Sequence, residues 1–479
     1  MFTKNRVIAL LVSSVFLCCM LGGSAQAYYL KEGPVFNRAM GIPGVDEEAP
    51  LYTDPGNLDP SYYDAGGVMP NDLEDAEPNT LVNRIQGAIQ NAPSGSTIRI
   101  AMYSLNLPYM AREIIAAHNR GVNVQFITDD HDIDNTPLEA VQKVLNTKNT
   151  KYPNQKSFLF VCDGSCSSDY IGIRDRDGDP KTEGSETVKS YMHAKFLTFS
   201  QTGSSTYVTM ITSSNITQTQ VIEGYNNMFI TVGKKGIYDF VNKKFDDMRR
   251  SDADTRDIYE SAELDGKYKL YFFPREKTTT TEQDSDPFYG IFSNIKCTGV
   301  SEGYGGGGYT NISIAMFQWT RDRKYLADQL WALDNAGCNV RMVISRADTD
   351  RQILDVLLKP TKFGGIIVKD ADVDVNPIED EVPPNLERFS HHKYILVNGY
   401  YASDKGTMIT FTGTANFSKM ALRENNEITI KIDDDAVYKR YMLNFNFIYN
   451  NRSTQLTLSD FATQAILPMK ETIFEDNMR

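Results

Sequence analysis

The sequence predicts an α/β protein built from two copies of one strand-and-helix unit, related by a pseudo-two-fold axis. Three observations predict it. Residues 98–103 (IRIAMY) align with 312–317 (ISIAMF), and 121–127 (GVNVQFI) with 337–343 (GCNVRMV), an internal repeat of roughly two hundred residues. Strand patterns alternate with helical ones through both copies, which implies mixed sheets with helices on their faces. Each copy carries the same two short motifs in the same order. They are Tyr191-Met192-His193-Ala194-Lys195 then Thr212-Ser213-Ser214-Asn215, and Ser390-His391-His392-Lys393 then Thr412-Gly413-Thr414-Ala415-Asn416.

The elements follow in order. Lys4 and Arg6 precede an apolar run and then Ala25-Gln26-Ala27, the pattern of a cleaved signal peptide over 1–27. Residues 28–75 are rich in Pro, Gly, Asp and Tyr and read as an irregular arm, with one short strand at Val35-Phe36. A first lobe is expected over 76–250. Leu81, Ile85, Ala88 and Ile89 recur at helical spacing, 98–102 is a strand, and Met110, Ile114 and Ala117 line a helix that Gly121 ends. After a strand over 122–128, Thr136-Pro137-Leu138-Glu139 reads as cap, N1 proline and capping-box Glu. Strands over 158–161, 195–199, 207–212 and 228–232 and a helix carrying Ile237 to Met248 complete the lobe. A linker with one short strand, Tyr271-Phe272-Phe273, spans 251–285. The second lobe, 286–479, repeats the pattern: a helix carrying Phe288, Ile291 and Ile295, strands over 312–317, 340–344, 393–397, 408–412 and 427–432, and a last helix from Ala436.

Composition bounds the function. The chain is 41% apolar and 23% charged, ordinary for a globular protein with a full core. Its formal charge is −13, and loss of Lys4 and Arg6 with the signal makes it −13 − 2 = −15. So acidic a protein is a poor non-specific binder of nucleic acid. Four cysteines follow the signal segment. In an exported protein they suggest two disulfides, Cys162 with Cys166 and Cys297 with Cys338, with buried free thiols as the alternative. A secreted location, extracellular or periplasmic, is expected. Asp175-Arg176-Asp177-Gly178-Asp179 lacks the spacing of an EF-hand and reads as a solvated loop. An acidic run over 370–381 stands likewise ahead of the second motif. Gly303 to Tyr309 reads as a flexible connector or a lid.

Three of only five histidines fall in the paired motifs. In extended chain, residues i and i+2 point the same way, so His193 with Lys195, and His391 with Lys393, project side by side. Two lysines and the amides of Asn215 and Asn416 suit the non-bridging oxygens of a phosphodiester. One imidazole can attack phosphorus while the other protonates the leaving oxygen. His392 should point away from His391 into packing or to the surface. His131 reads as a strand-end turn, with lining of the cleft as the alternative, and His118 as helix surface.

These residues resemble the phospholipase D superfamily, whose signature is two H-x-K-x4-D motifs, each with a downstream G-S/T-x-N. The resemblance runs from about Val35 through nearly all of the chain. It implies a duplicated phospholipase D-like αβαβα sandwich, a phosphohistidine intermediate, and catalysis without metal or other cofactor. By that analogy His193 is the nucleophile and His391 the acid. A carboxylate that orients a motif histidine in the family matches Glu427, whose aligned position in the first half is Met228. The motif Asp is replaced by Ser200 and Asn398, which should weaken rigidity more than chemistry. Ser213-Ser214 stands where Gly-Ser is usual. Export and acidity favour a lipid substrate, so the expected activity is phospholipid headgroup hydrolysis or transfer, by a monomer that touches the membrane surface transiently. Its alternatives are a nuclease with the same chemistry, or a non-catalytic binding protein.

Overall fold

The computed structural model describes residues 28–39, 79–131, 133–168, 170–175, 185–250, 258–374 and 387–461. The expected signal peptide over 1–27, the expected arm beyond residue 39, most of both acidic loops and the last eighteen residues lie outside the described residues.

Two sheets carry the fold, and their strand orders match position by position. The first runs Gly33–Phe36, Asn227–Thr231, Ser205–Thr212, Phe196–Thr202, Thr97–Ala101, Asn123–Asp129, Phe158–Cys162. The second contains Tyr268–Phe273, Glu427–Asp433, Asp404–Gly413, Lys393–Tyr401, Asn311–Met316, Asn339–Ile344, Ile367–Asp370 in the corresponding places. Glu260–Leu264 and Thr454–Gln455 extend its edges, and Ile295–Lys296 pairs beside it. In both sheets three strands are parallel and the rest antiparallel. The repeat read from sequence is thus a repeat of topology.

Helices sort into layers. Thr80–Gln90, Pro108–Asn119 and Thr136–Leu145 cover the outer face of the first sheet through Leu81, Ile85, Met110, Ile114 and Val141. Pro287–Ser293, Lys324–Asn335 and Arg351–Leu357 do the same for the second. Between the sheets lie the two long helices, Lys235–Arg249 and Asp435–Asn451. Their Phe245 and Phe445 share one core with Phe196 and Phe229 of the first sheet and with Leu396 and Ile430 of the second. Removing such a fully packed ring costs about 3–5 kcal/mol. The layers are therefore helix, sheet, helix, sheet, helix. The central layer locks the two halves together.

Local details differ from expectation for physical reasons. The cap of Thr136–Leu145 is Asn135, whose side chain accepts from the Leu138 N–H, so Thr136 is already helical. Ile295 leaves the preceding helix and pairs with Tyr401. The polar stretch before the first motif contains a hairpin, Ile171–Asp175 with Ser185–Lys189. The strand at Tyr271 begins at Tyr268 and belongs to the second sheet. Gly121 and Gly337 end matching helices at φ 94° and 105°, where a side chain would be strained. His118 is buried, not on the surface, and burial lowers its proton affinity. Both cysteine pairs are bonded, Cys162–Cys166 and Cys297–Cys338. Among the described residues no helix is long and apolar enough to cross a membrane.

Candidate active site

His193 and Lys195 lie in extended chain just before the strand Phe196–Thr202, and Lys393 opens the strand Lys393–Tyr401. All four motif side chains are buried. Each lysine turns back on its own histidine: Lys195 Nζ donates to the His193 carbonyl at 2.8 Å, and Lys393 Nζ to the His391 carbonyl at 3.1 Å. An aromatic ring at the end of a neighbouring strand flanks each pair. Tyr103 stands 5.4 Å from the His193 ring and 5.1 Å from Lys195 Nζ. Phe317 stands 4.6 Å from His391 and 4.9 Å from Lys393.

The histidines are oriented across the two halves. His193 Nδ1 meets Glu427 Oε1 of the second half at 2.7 Å, and His391 Nδ1 meets Asn226 Oδ1 of the first half at 3.1 Å. In both cases the partner fixes Nδ1 and with it the orientation of the ring, and the Ser213 backbone also bonds the His391 ring. Asn226 therefore occupies the place of Glu427, which corrects the alignment of Glu427 with Met228. The strand register agrees: Met228 pairs with Thr212, and Thr429 with Gly413. The turn residues confirm it. Ser213 Oγ donates to Asn226 Oδ1, and Thr414 Oγ1 to Glu427 Oε2. The glycine of the turn motif is thus replaced by Thr212, not by Ser213. Gly413 is needed because a Cβ there would come within 2.1 Å of the Ile428 carbonyl, whereas the Thr212 hydroxyl donates to the matching Asn227 carbonyl at 3.0 Å.

The two partners are not interchangeable. Both Glu427 oxygens accept, one from the imidazole and one from Thr414. Asn226 instead uses its amide protons on the Gln220 carbonyl and side-chain oxygen, at 3.2 and 2.9 Å. An aspartate at 226 would set a carboxylate against two oxygens. The electrostatics follow. Burial, helped by the charges of Lys393 and Lys195 and by His193, holds the His391 imidazole well below the usual histidine range. The same causes show that His193, Lys195, His391 and Lys393 share one site.

Other expected residues fall as follows. Asn215 and Asn416 are buried on the turns beside the site. Asn215 Oδ1 has no hydrogen-bond partner among the described residues, and Asn416 Oδ1 accepts from the Gln318 N–H at 3.4 Å. Neither bonds a motif histidine. Ser200 Oγ accepts from the Thr97 N–H and Asn398 Oδ1 from the Gly305 N–H, both at 2.8 Å, so the positions of the missing Asp still tie their strands to neighbours. His392 is buried and bonds Asn227 Oδ1 at 3.1 Å, with its pKa pushed down by burial to about 3. His131 stacks on Tyr103 at 3.9 Å and bonds Asp129, which also accepts from the Met192 N–H. It is therefore part of the wall behind His193.

A family model described as cardiolipin synthase, PLD-like domain, matches residues 85–249 and 309–449, more than half of the chain and both motif pairs. The chain belongs to the phospholipase D-like family. Among solved structures it resembles the polyphosphate kinase of Porphyromonas gingivalis at 12% identity and a TM-score of 0.50, covering 84% of this chain and 54% of that one. The chain thus spans about half the length of that kinase. It also matches the phosphatidylserine synthase of Haemophilus influenzae at 11% identity, covering 79% and 86%, with a TM-score of 0.47. The phospholipase D family member Nuc of Salmonella typhimurium matches at 16% identity over 41% of this chain and 99% of that one, with a TM-score of 0.27. Such identities speak for the fold alone. No curated protein matches the chain.

Proposed function

We propose that this protein is exported and cleaves or transfers phosphodiesters through a phosphohistidine on His193, with phospholipids as its substrates. The observation that carries the reading is the carboxylate of Glu427 on His193 Nδ1, set against an uncharged amide on His391. When His193 Nε2 attacks phosphorus, its ring becomes cationic, and a buried carboxylate at 2.7 Å stabilises that cation. The P–O bond to the alcohol breaks and the leaving oxygen takes a proton from His391. In the free protein His391 holds a proton poorly; the negative charge of a diester between the two lysines opposes their effect and raises its proton affinity, which the acid role requires. Neutral His391 then removes a proton from water or from an acceptor alcohol. That oxygen attacks phosphorus, the P–N bond breaks, and His193 is restored. Lys195, Lys393, Asn215 and Asn416 hold the non-bridging oxygens.

The net charge of −13 favours a lipid over a polyanionic nucleic acid. The test uses bis(p-nitrophenyl) phosphate for the chemistry and liposomes of phosphatidylcholine or phosphatidylethanolamine for the class. Wild type should turn over both, releasing nitrophenol and headgroup; His193→Ala should release neither, and His391→Ala no headgroup and at most one nitrophenolate per molecule. Plasmid nicking without headgroup release would move the reading to a nuclease. Equal behaviour of wild type and both variants would leave only a binding protein.

A further inference from the structure

We infer that the disulfide-clipped loop at Cys162–Cys166 is a positioning element for Glu427. This rests on the role given to Glu427 above. The loop follows the first-half strand Phe158–Cys162, yet it is docked onto the second half at the residues just before Glu427. The Cys166 N–H donates to Asn426 Oδ1 at 2.8 Å and Ser165 Oγ to the same atom at 3.2 Å, while Asn426 Nδ2 donates to Ser167 Oγ at 2.9 Å. Ser168 Oγ donates to Glu424 Oε2 at 2.7 Å. Asn426 is fully buried, so these bonds are its main fixings. The loop is tied equally to the approach of the first motif. Ser165 N–H donates to Ser190 Oγ, and Ser190 Oγ to the Ser168 carbonyl at 2.6 Å. It therefore sits between the two chains that bring His193 and Glu427 together.

The opposite crossing shows why such a device is needed. There the approach to His391 pairs as a strand with the first half, Phe389 with Gly224 and Ser390 with Tyr225, and the His391 N–H donates to the Tyr225 carbonyl. At the His193 crossing there is no such ladder among the described residues: the Asn426 N–H donates to the Tyr191 carbonyl, and side chains add further ties. Asn425 Oδ1 takes the Tyr191 N–H, and Asn426 takes the clipped loop. A backbone ladder holds register by itself. A loop that must aim three polar groups at one amide does so only if its shape is already fixed, since ordering free chain costs about 1–2 kcal/mol per residue. The covalent clip across four positions fixes it. Asn426 and Glu427 are consecutive, so a shift of the first displaces the second from the His193 ring.

The test compares Cys162→Ala/Cys166→Ala with Cys297→Ala/Cys338→Ala, whose disulfide lies away from the site, and adds Asn426→Ala. Turnover of bis(p-nitrophenyl) phosphate and the imidazole N–H signal of His193 in ¹⁵N-histidine-labelled protein are read together. The first double variant and Asn426→Ala should lower kcat on the order of tenfold to a hundredfold, with KM within about twofold. They should also shift or broaden the His193 signal. The Cys297/Cys338 variant should keep both while losing thermal stability. Native kcat and a native His193 signal in folded Cys162→Ala/Cys166→Ala would overturn the proposal and leave the clip a staple only. A wild type inactive on every diester sinks the functional reading instead, and the His193 signal then decides the positioning claim alone.

Discussion

Replacing Glu427 with Gln removes one charge and little else. Gln keeps an oxygen for His193 Nδ1, and its amide group can face Thr414, whose hydroxyl turns to accept. The present contact is 2.7 Å between a histidine 3% exposed and a carboxylate with no exposed surface. A charge-assisted hydrogen bond contributes roughly 1.5–3 kcal/mol, and the cationic phosphohistidine needs it more than the neutral ground state does. At 1.36 kcal/mol per tenfold in rate, Glu427→Gln should lower kcat by about ten- to a hundred-and-fiftyfold, with KM nearly unchanged. Steady-state kinetics on bis(p-nitrophenyl) phosphate measure it, with circular dichroism to show that the variant folds. A kcat within threefold of wild type would refute the argument that the carboxylate stabilises charge on His193.

Other predictions are independent of that one. His392 is buried neutral and the unfolded chain takes up its proton near pH 6.5, so the folded state loses stability as pH falls from about 6.5 toward about 3. Chemical denaturation at pH 7 and pH 5 should show His392→Asn, which keeps a donor for Asn227, losing less than wild type by roughly 1–2 kcal/mol. Cys297→Ala/Cys338→Ala opens a loop of 41 positions and should cost on the order of 4 kcal/mol in the same assay. Asp286→Ala strands the buried Arg323 guanidinium, which also donates to the Asn416 and Ser418 carbonyls. It should cost about 3–5 kcal/mol and raise KM through Asn416, measured by denaturation and kinetics.

Much of this was legible in the residues. The repeat showed the two matching sheets because apolar periodicity survives in both copies, as at 98–103 and 312–317. His193, Lys195, His391, Lys393 and Glu427 stood out by pattern, and the structure brings them into one site. Asn226 was missed because the doublets Asn226-Asn227 and Asn425-Asn426 look alike and invite the wrong register. The usable signal was spacing. Asn226 follows Asn215 by eleven positions, as Glu427 follows Asn416. The crossing of partners between the halves was not legible, since it depends on how the sheets pack around Lys235–Arg249 and Asp435–Asn451. Of the wall of Tyr103, His131 and Asp129, His131 alone could be read from its strand-end place as lining the cleft; Tyr103 and Asp129 join it only in the folded chain. The docking of the Cys162–Cys166 loop on Asn426 spans about 260 positions and leaves no local trace.

The central claim is covalent chemistry at His193. In His391→Ala a nitrophenolate leaves without an acid, whereas water finds no base, so the adduct should persist. Intact-mass and peptide analysis after mixing with bis(p-nitrophenyl) phosphate should show one nitrophenylphosphoryl group on His193, lost in His193→Ala/His391→Ala. No adduct, or an adduct on another residue, would contradict the account.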